Sequence, residues 1–199
     1  MMQKAVVFLL TAITLTACGL ERDVVIAHRG YWKCEAGGWS QNSAAALRAA
    51  FEQGLWGTEF DCRITADSVI VVNHDPVING KRIETHRFAD FGEDLLPNGE
   101  RRPTLDEFLT VAEDYPDTHL IIELKPHRAR GMEDLLIRET FALLKAHGLD
   151  DPDRVRFITF SPHVRRQVSR QHPEFIIRLV NLRYFSPGVC GRITDNPLK

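Results

Sequence analysis

Four cysteines occur in 199 residues, and no two of them form a Cys-x-x-Cys pair. The lack of that spacing argues against a zinc site. Basic residues are in no excess: 25 Lys and Arg stand against 27 Asp and Glu, giving a formal net charge of −2. No basic surface therefore argues for nucleic acid, and a charged small-molecule ligand has to be held by local residues. The sequence shows no internal repeat and no low-complexity tract. Its N-terminal apolar run, Ala5 to Leu15, is too short to cross a bilayer comfortably. Hydrophobic residues make up 44% and charged residues 26%, which suits an ordinary globular chain of one domain.

That apolar run follows Lys4 and ends in Leu15-Thr16-Ala17-Cys18-Gly19, which resembles the lipobox of bacterial lipoproteins. The resemblance implies a signal peptide over 1–17, a lipidated Cys18, a tether over 18–23 and a domain over 24–199. A simple signal peptide cut near Ala17, or a short membrane anchor, is the plainer alternative. A lipid anchor at Cys18 would place the protein in the bacterial cell envelope, in the periplasm or on the outer membrane. Gly19 is not the aspartate associated with inner-membrane retention, which favours the outer membrane. Cys34, Cys62 and Cys190 remain. Cys34 and Cys62 are open to pairing in an oxidising compartment, with packed or loop thiols as the expected state.

Strand-like and helix-like segments alternate from Val24 onward, which predicts a parallel α/β architecture. Strands are expected at Val24–His28, Gly57–Ile64, Ser68–His74, His119–Lys125, Val155–Phe160 and Phe175–Val180. Helices are expected from Ser43 to Gln53, stopped by Gly54, and from the capping box Thr104-Leu105-Asp106-Glu107 through Val111. Two more are expected at Glu133–Ala146 and from Pro162 to about Gln171. Residues 76–102 are polar, with turn signals at Asn79-Gly80 and Asn98-Gly99, and read as a lid-like insertion. Beyond Val180 no strong period is found. A β/α barrel takes ~250 residues, so six strands predict a TIM (β/α)8-type barrel without its last two βα units.

Polar residues gather at the C-terminal ends of these strands: His28 and Arg29, Glu59 and Asp61, His74 and Asp75, Glu123 and Lys125. In a parallel barrel those ends share the face that carries active sites. Glu59 and Asp61 are two apart and point to one side, as do Glu123 and Lys125. Phe60, Cys62, Leu124 and Phe160 are then expected beneath the helices. Three converging carboxylates repel one another, and a divalent cation resolves that cost. Oxygen ligands suit Ca²⁺ or Mg²⁺ better than zinc. Carboxylates paired with Arg29, Arg63 and Lys125 are the structural alternative. Histidine transfers protons near neutral pH, and His28 and His74 each end an apolar strand beside a charged residue. Arg29 can grip phosphate with its fork, and Lys125 adds a point charge.

Six segments in order complete the pattern: Ile26-Ala27-His28-Arg29-Gly30, Gln41-Asn42-Ser43, Glu59-Phe60-Asp61, Val72-Asn73-His74-Asp75, Pro103-Thr104-Leu105-Asp106-Glu107 and Glu123-Leu124-Lys125. Together they resemble the glycerophosphodiester phosphodiesterase family, over about Val24 to Val180. The resemblance implies a barrel with a small insertion and hydrolysis of glycerophosphodiesters to glycerol 3-phosphate and an alcohol. It implies His28 and His74 as the acid–base pair and Glu59, Asp61 and Glu123 as ligands of Ca²⁺ or Mg²⁺. Arg29 and Lys125 would contact phosphate, with Gln41 and Asn42 also on the substrate side. Attack by the substrate's own 2-hydroxyl would give a cyclic phosphate that water then opens.

Two departures stand out. Gln41 occupies a position where the family usually has glutamate, which removes a charge. The family's last motifs, a Gly-rich strand and an Asp-containing one, are not recognisable after Val180. A phospholipase-type phosphodiesterase on the same scaffold and an inactive truncated chain are the competing readings.

Overall fold

The computed structural model describes residues 24–92, 94–180 and 192–198. The expected signal peptide, the tether, Cys18 and Cys190 lie outside the described residues. Cys34 and Cys62 are both free thiols, so they do not pair with each other. Among the described residues no helix is long and apolar enough to cross a membrane.

Strand β1 (Val25–Ala27) leads to helix α1 (Ala44–Glu52), and strand β2 (Gly57–Ile64) follows. The Ser43 hydroxyl accepts the Ala46 N–H at the start of α1, satisfying one of the donors a helix leaves free there. Glu100 comes from the insertion and accepts the Ala44 and Ala45 N–H groups at 2.9 and 3.2 Å. Thr104 and Glu107 form the expected capping box of helix α2 (Leu105–Glu113). Strand β6 (His119–Leu124), helix α3 (Arg130–Ala146), strand β7 (Val155–Thr159), helix α4 (Pro162–Gln171) and strand β8 (Ile177–Leu179) continue the alternation. These labels leave β3 (Ile70–Val72), β4 (Val77–Ile78) and β5 (Lys81–Arg82) to the segment between β2 and α2. Strand β9 (Arg192–Thr194) comes last.

The main sheet runs in the order β8-β7-β6-β2-β1-β9, with every neighbouring pair parallel. It is a β/α barrel sheet with its two ends at β8 and β9, an incomplete (β/α)8-type fold. Phe60, Cys62, Leu124 and Phe157 point outward and pack on Leu109, Leu136 and Val164 of the helices. Ile26, Ile121 and Ile158 point to the other side and pack with Trp56, Val180 and Ile193. This second layer fills the interior beneath the strand ends.

The structure differs from the expectation at three places. The third strand is antiparallel to β2, with Cys62 opposite Val72 and Ile64 opposite Ile70. The connection explains this. Thr65 N–H donates to the Val69 carbonyl and Ser68 sits at φ 67°, so the chain reverses in a tight turn. A parallel crossover needs a dozen residues or more, and only residues 65–69 separate the two strands. Secondly, β9 lies in the tail where no strand was expected, and pairs Ile193 with Ile26. Finally, Phe160 is 40% exposed and is not beneath the helices. Phe157 is the outward residue of β7, and Phe160, three positions later, falls on the opposite side.

The 76–102 insertion carries the β4–β5 hairpin and two 3₁₀ turns, Ile83–Thr85 and Phe88–Phe91. Ile78, Ile83 and Phe91 pack on Val71 as a small core of its own. Its ends meet where Val72 N–H donates to the Pro103 carbonyl. The insertion is therefore a folded excursion above the strand ends.

Candidate active site

His28 and Arg29 leave the end of β1. His28 N–H extends the ladder to the Thr194 carbonyl at 3.0 Å, after which Arg29 takes a left-handed φ of 56°. That turn aims the Arg29 backbone N–H at Glu59 Oε2, 2.9 Å away. Gly30 follows at φ 80°, where a Cβ would lie 2.7 Å from Ala46. The local backbone thus fixes one carboxylate before any side chain takes part.

Glu59, Asp61 and Glu123 are all buried, and each offers an oxygen within 4.8 Å of the others. Register explains the meeting, because Asp61 lies directly opposite Glu123 across β2 and β6. Asn42 is 4% exposed and grips Asp61 twice. Its amide donates to Oδ2 at 2.8 Å and its carbonyl oxygen accepts the Asp61 N–H at 3.3 Å. Lys125 Nζ sits 2.9 Å from both Asp61 Oδ1 and Glu123 Oε1. Arg29 Nε approaches Asp61 Oδ2 at 3.4 Å, while its Nη1 donates to Gln41 Oε1 at 2.7 Å.

The electrostatics differ among the three acids. Burial, then repulsion from Asp61 and Glu123, pushes Glu59 well above the usual carboxylate range. Burial also raises Glu123, and although Lys125 opposes it the pKa reaches about 7. For Asp61 the cost of burial is outweighed by Lys125, Asn42 and Arg29, and its pKa is lowered. Glu59 Oε1 is buried and has no hydrogen-bond partner among the described residues. A lone buried acceptor beside two further carboxylates fits a hard divalent cation, which supplies the missing positive charge.

His74 arrives after β3. Strand β2 overshoots the sheet, the β3 hairpin folds back, and Asn73 N–H meets the Asp61 carbonyl at 2.9 Å. Asp75 Oδ1 lies 2.8 Å from His74 Nδ1. Burial lowers the His74 pKa despite that partner, with Lys125 and Arg29 adding to the effect. His28, Arg29, Glu59, His74, Glu123 and Lys125 line one cavity of about 100 Å³. Phe160 and Ile193 also border it. Gln41 and Asn42 do not line this cavity and instead contact Arg29 and Asp61.

Asp195 was not among the residues expected from sequence. It follows β9, and its Oδ1 lies 2.8 Å from His28 Nδ1. Lys33 Nζ is 3.0 Å from Oδ2, and Trp32 Nε1–H donates to Oδ1 at 3.4 Å. The desolvation cost on Asp195 is outweighed by His28 and Lys33, so its pKa is lowered. The available signal was an acidic residue closing the short Arg192-Ile193-Thr194 stretch, the same strand-end placement as Glu59 and Asp61.

Residues 28–182 match the glycerophosphoryl diester phosphodiesterase family. A glycerophosphodiester phosphodiesterase of Caldanaerobacter subterraneus subsp. tengcongensis is 30% identical over 175 residues, covering 80% of this chain and 67% of that relative. The crystal structure of a glycerophosphodiester phosphodiesterase from Parabacteroides distasonis is similar with a TM-score of 0.76 and 36% identity, over 85% of this chain and 69% of that one. An Oleispira antarctica phosphodiesterase, solved with the product sn-glycerol-3-phosphate, is similar with a TM-score of 0.65 and 27% identity, over 78% and 65% of the two chains. With the site and the matched length in agreement, the chain belongs to the glycerophosphoryl diester phosphodiesterase family, a family of phosphoric diester hydrolases.

Proposed function

We propose that this protein hydrolyses glycerophosphodiesters to glycerol 3-phosphate and an alcohol, using Ca²⁺ or Mg²⁺. The observation that carries the reading is that His28 and His74 face one cavity together with Arg29 and the buried acids. Two histidines at one phosphorus centre can divide the proton transfers that a phosphodiester requires.

In the first step the substrate's 2-hydroxyl oxygen attacks phosphorus and loses its proton to one histidine. The other histidine protonates the departing alcohol oxygen, and a cyclic phosphate remains. In the second step water enters with the two roles exchanged, the bond from phosphorus to the 2-oxygen breaks, and glycerol 3-phosphate leaves. Asp195 and Asp75 each hold a histidine Nδ1, which leaves the two Nε2 atoms for this work. Arg29 and Lys125 hold the phosphate oxygens. Gln41 fixes Arg29 through a neutral acceptor, adding no second carboxylate beside Asp61 to compete with the phosphate. A divalent cation held by Glu59, Asp61 and Glu123 would polarise a phosphoryl oxygen and offset the charge that develops on it.

The lipobox-like segment supports acylation at Cys18 and attachment to the bacterial envelope, on the periplasmic side or the outer membrane. Mass measurement of the N-terminus, with Cys18→Ala as the comparison, tests that attachment.

For the reaction, the purified full chain is given glycerophosphocholine or an intact phospholipid, with Ca²⁺, Mg²⁺ or chelator. Glycerol 3-phosphate release that needs metal and falls about 10²–10⁴-fold in His28→Ala and in His74→Ala is expected. Faster cleavage of the intact phospholipid, or no product from the folded chain, overturns the reading.

A further inference from the structure

A second cavity, of about 310 Å³, opens between the β4–β5 hairpin and the connection from β6 to α3. None of its lining residues lines the catalytic cavity. Arg63 forms one wall and is only 6% exposed. Its Nε donates to the His74 carbonyl at 2.8 Å and its Nη1 to the Pro126 carbonyl at 3.1 Å. Both acceptors are neutral, and among the described residues no carboxylate lies within 4.0 Å of this guanidinium, although Asp61, Glu123, Asp75 and Glu84 act on it from further away. Burial is the largest influence on Arg63 and disfavours its charge, so a closer oxyanion would be favoured there.

The other walls add to the imbalance. Arg82 lies 3.6 Å from Glu84 Oε1, and Glu84 Oε2 accepts the backbone N–H of Arg128 at 3.0 Å. The guanidinium of Arg128 makes no ion pair among the described residues. His127 borders the same space and is held neutral, since its Nε2 accepts the Ile64 N–H at 3.2 Å. Three arginines and one glutamate therefore line this space, a formal charge of +2 among its lining residues. Arginine forks match the oxygens of a tetrahedral or planar oxyanion.

We propose that this cavity is a second anion site, taking a doubly charged oxyanion, either inorganic phosphate or a phosphomonoester. It stands apart from the catalytic cavity but is tied to it by two backbone contacts. Arg63 holds the carbonyl of His74, and His127 Nδ1 holds the carbonyl of Lys125 at 2.9 Å. An anion that draws on Arg63 pulls at the loop that places His74.

The test is calorimetric titration of the full chain with inorganic phosphate, and in parallel with glycerol 3-phosphate. The parallel runs tell whether the free or the esterified anion is preferred. The wild-type chain is expected to show two sites for the preferred anion. Arg29→Gln, which disables the catalytic cavity, is expected to keep one. Arg128→Glu changes an exposed residue without an ion pair, so it keeps the fold and the basal activity. It is expected to weaken the second site at least tenfold, and Arg82→Gln combined with Arg128→Gln to abolish it. A single wild-type site that disappears in Arg29→Gln overturns the proposal. So does Arg128→Glu binding both anions as the wild type does. These readouts measure binding and do not depend on the chain turning over a substrate.

Discussion

His28 Nδ1 and Asp195 Oδ1 lie 2.8 Å apart, across 167 positions of sequence. The carboxylate selects the tautomer with hydrogen on Nδ1 and leaves Nε2 open to the cavity. Asp195 touches no reacting atom in this arrangement and is a positioning residue. Asp195→Asn can accept or donate at that point and so loosens the tautomer choice without removing volume. It is expected to lower kcat by about 10- to 10³-fold with little change in KM. Asp195→Glu is expected to recover part of the loss. An unaltered kcat and pH profile would remove this role.

Metal is expected to stabilise the fold as well as the reaction. Without a cation the three acids repel, and Glu59 is held well above its usual range. Ca²⁺ or Mg²⁺ at about 100 times its Kd is expected to add ~2.7 kcal/mol. For a chain of this size that raises Tm by about 5–10 °C. Binding is also expected to release protons, visible in calorimetry as a heat that varies with buffer. Glu59→Gln is expected to lose most of both effects, and chelator to reverse them.

Stability is expected to fall with acid through His127. Burial first, then the neighbouring Arg63, lowers its pKa from 6.5 to about 4. The unfolded chain therefore takes up a proton at a pH where the folded chain does not. This contribution is intact above pH about 6.5, is lost as pH falls toward about 4, and does not change further below that. The loss is at most about 3 kcal/mol. Urea midpoints at pH 7 and pH 4.5 check it, with the wild type expected to lose more than His127→Gln.

Gly30→Ala is expected to damage both fold and site. The position combines φ 80° with an approach of 2.7 Å to Ala46. A cost of about 2–4 kcal/mol follows from strain and overpacking together. Its backbone neighbour Arg29 holds Glu59, so activity is expected to fall further than the drop in Tm accounts for.

Much of this was legible in the sequence because each cue was local. The cap at Ser43 and the box at Thr104 and Glu107 depend only on residues within a turn, and both form as expected. The two-residue spacing of Glu59 and Asp61, repeated in Glu123 and Lys125, gave the inward face directly. What escaped was non-local. Strand direction at Ile70–Val72 depends on the length of the preceding turn, although the period looks the same either way. The three residues of β9 are too few to show a period, and only pairing with β1 defines them as a strand. The double contact between Asn42 and Asp61 spans 19 positions and follows from the left-handed φ of 56° at Asn42.

Because Asp195 follows β9, which pairs with β1, the orientation of His28 depends on a segment 167 positions away in sequence. A nascent chain still held on the ribosome short of residue 192 already carries all six motif segments, yet its first histidine has no orienting partner. Contacts so distant in sequence form late, since the intervening chain must be ordered before they repay its entropy. Full turnover would then wait on the docking of β9 beside β1, and a cut between Val180 and Asp195 would lower it without touching a motif.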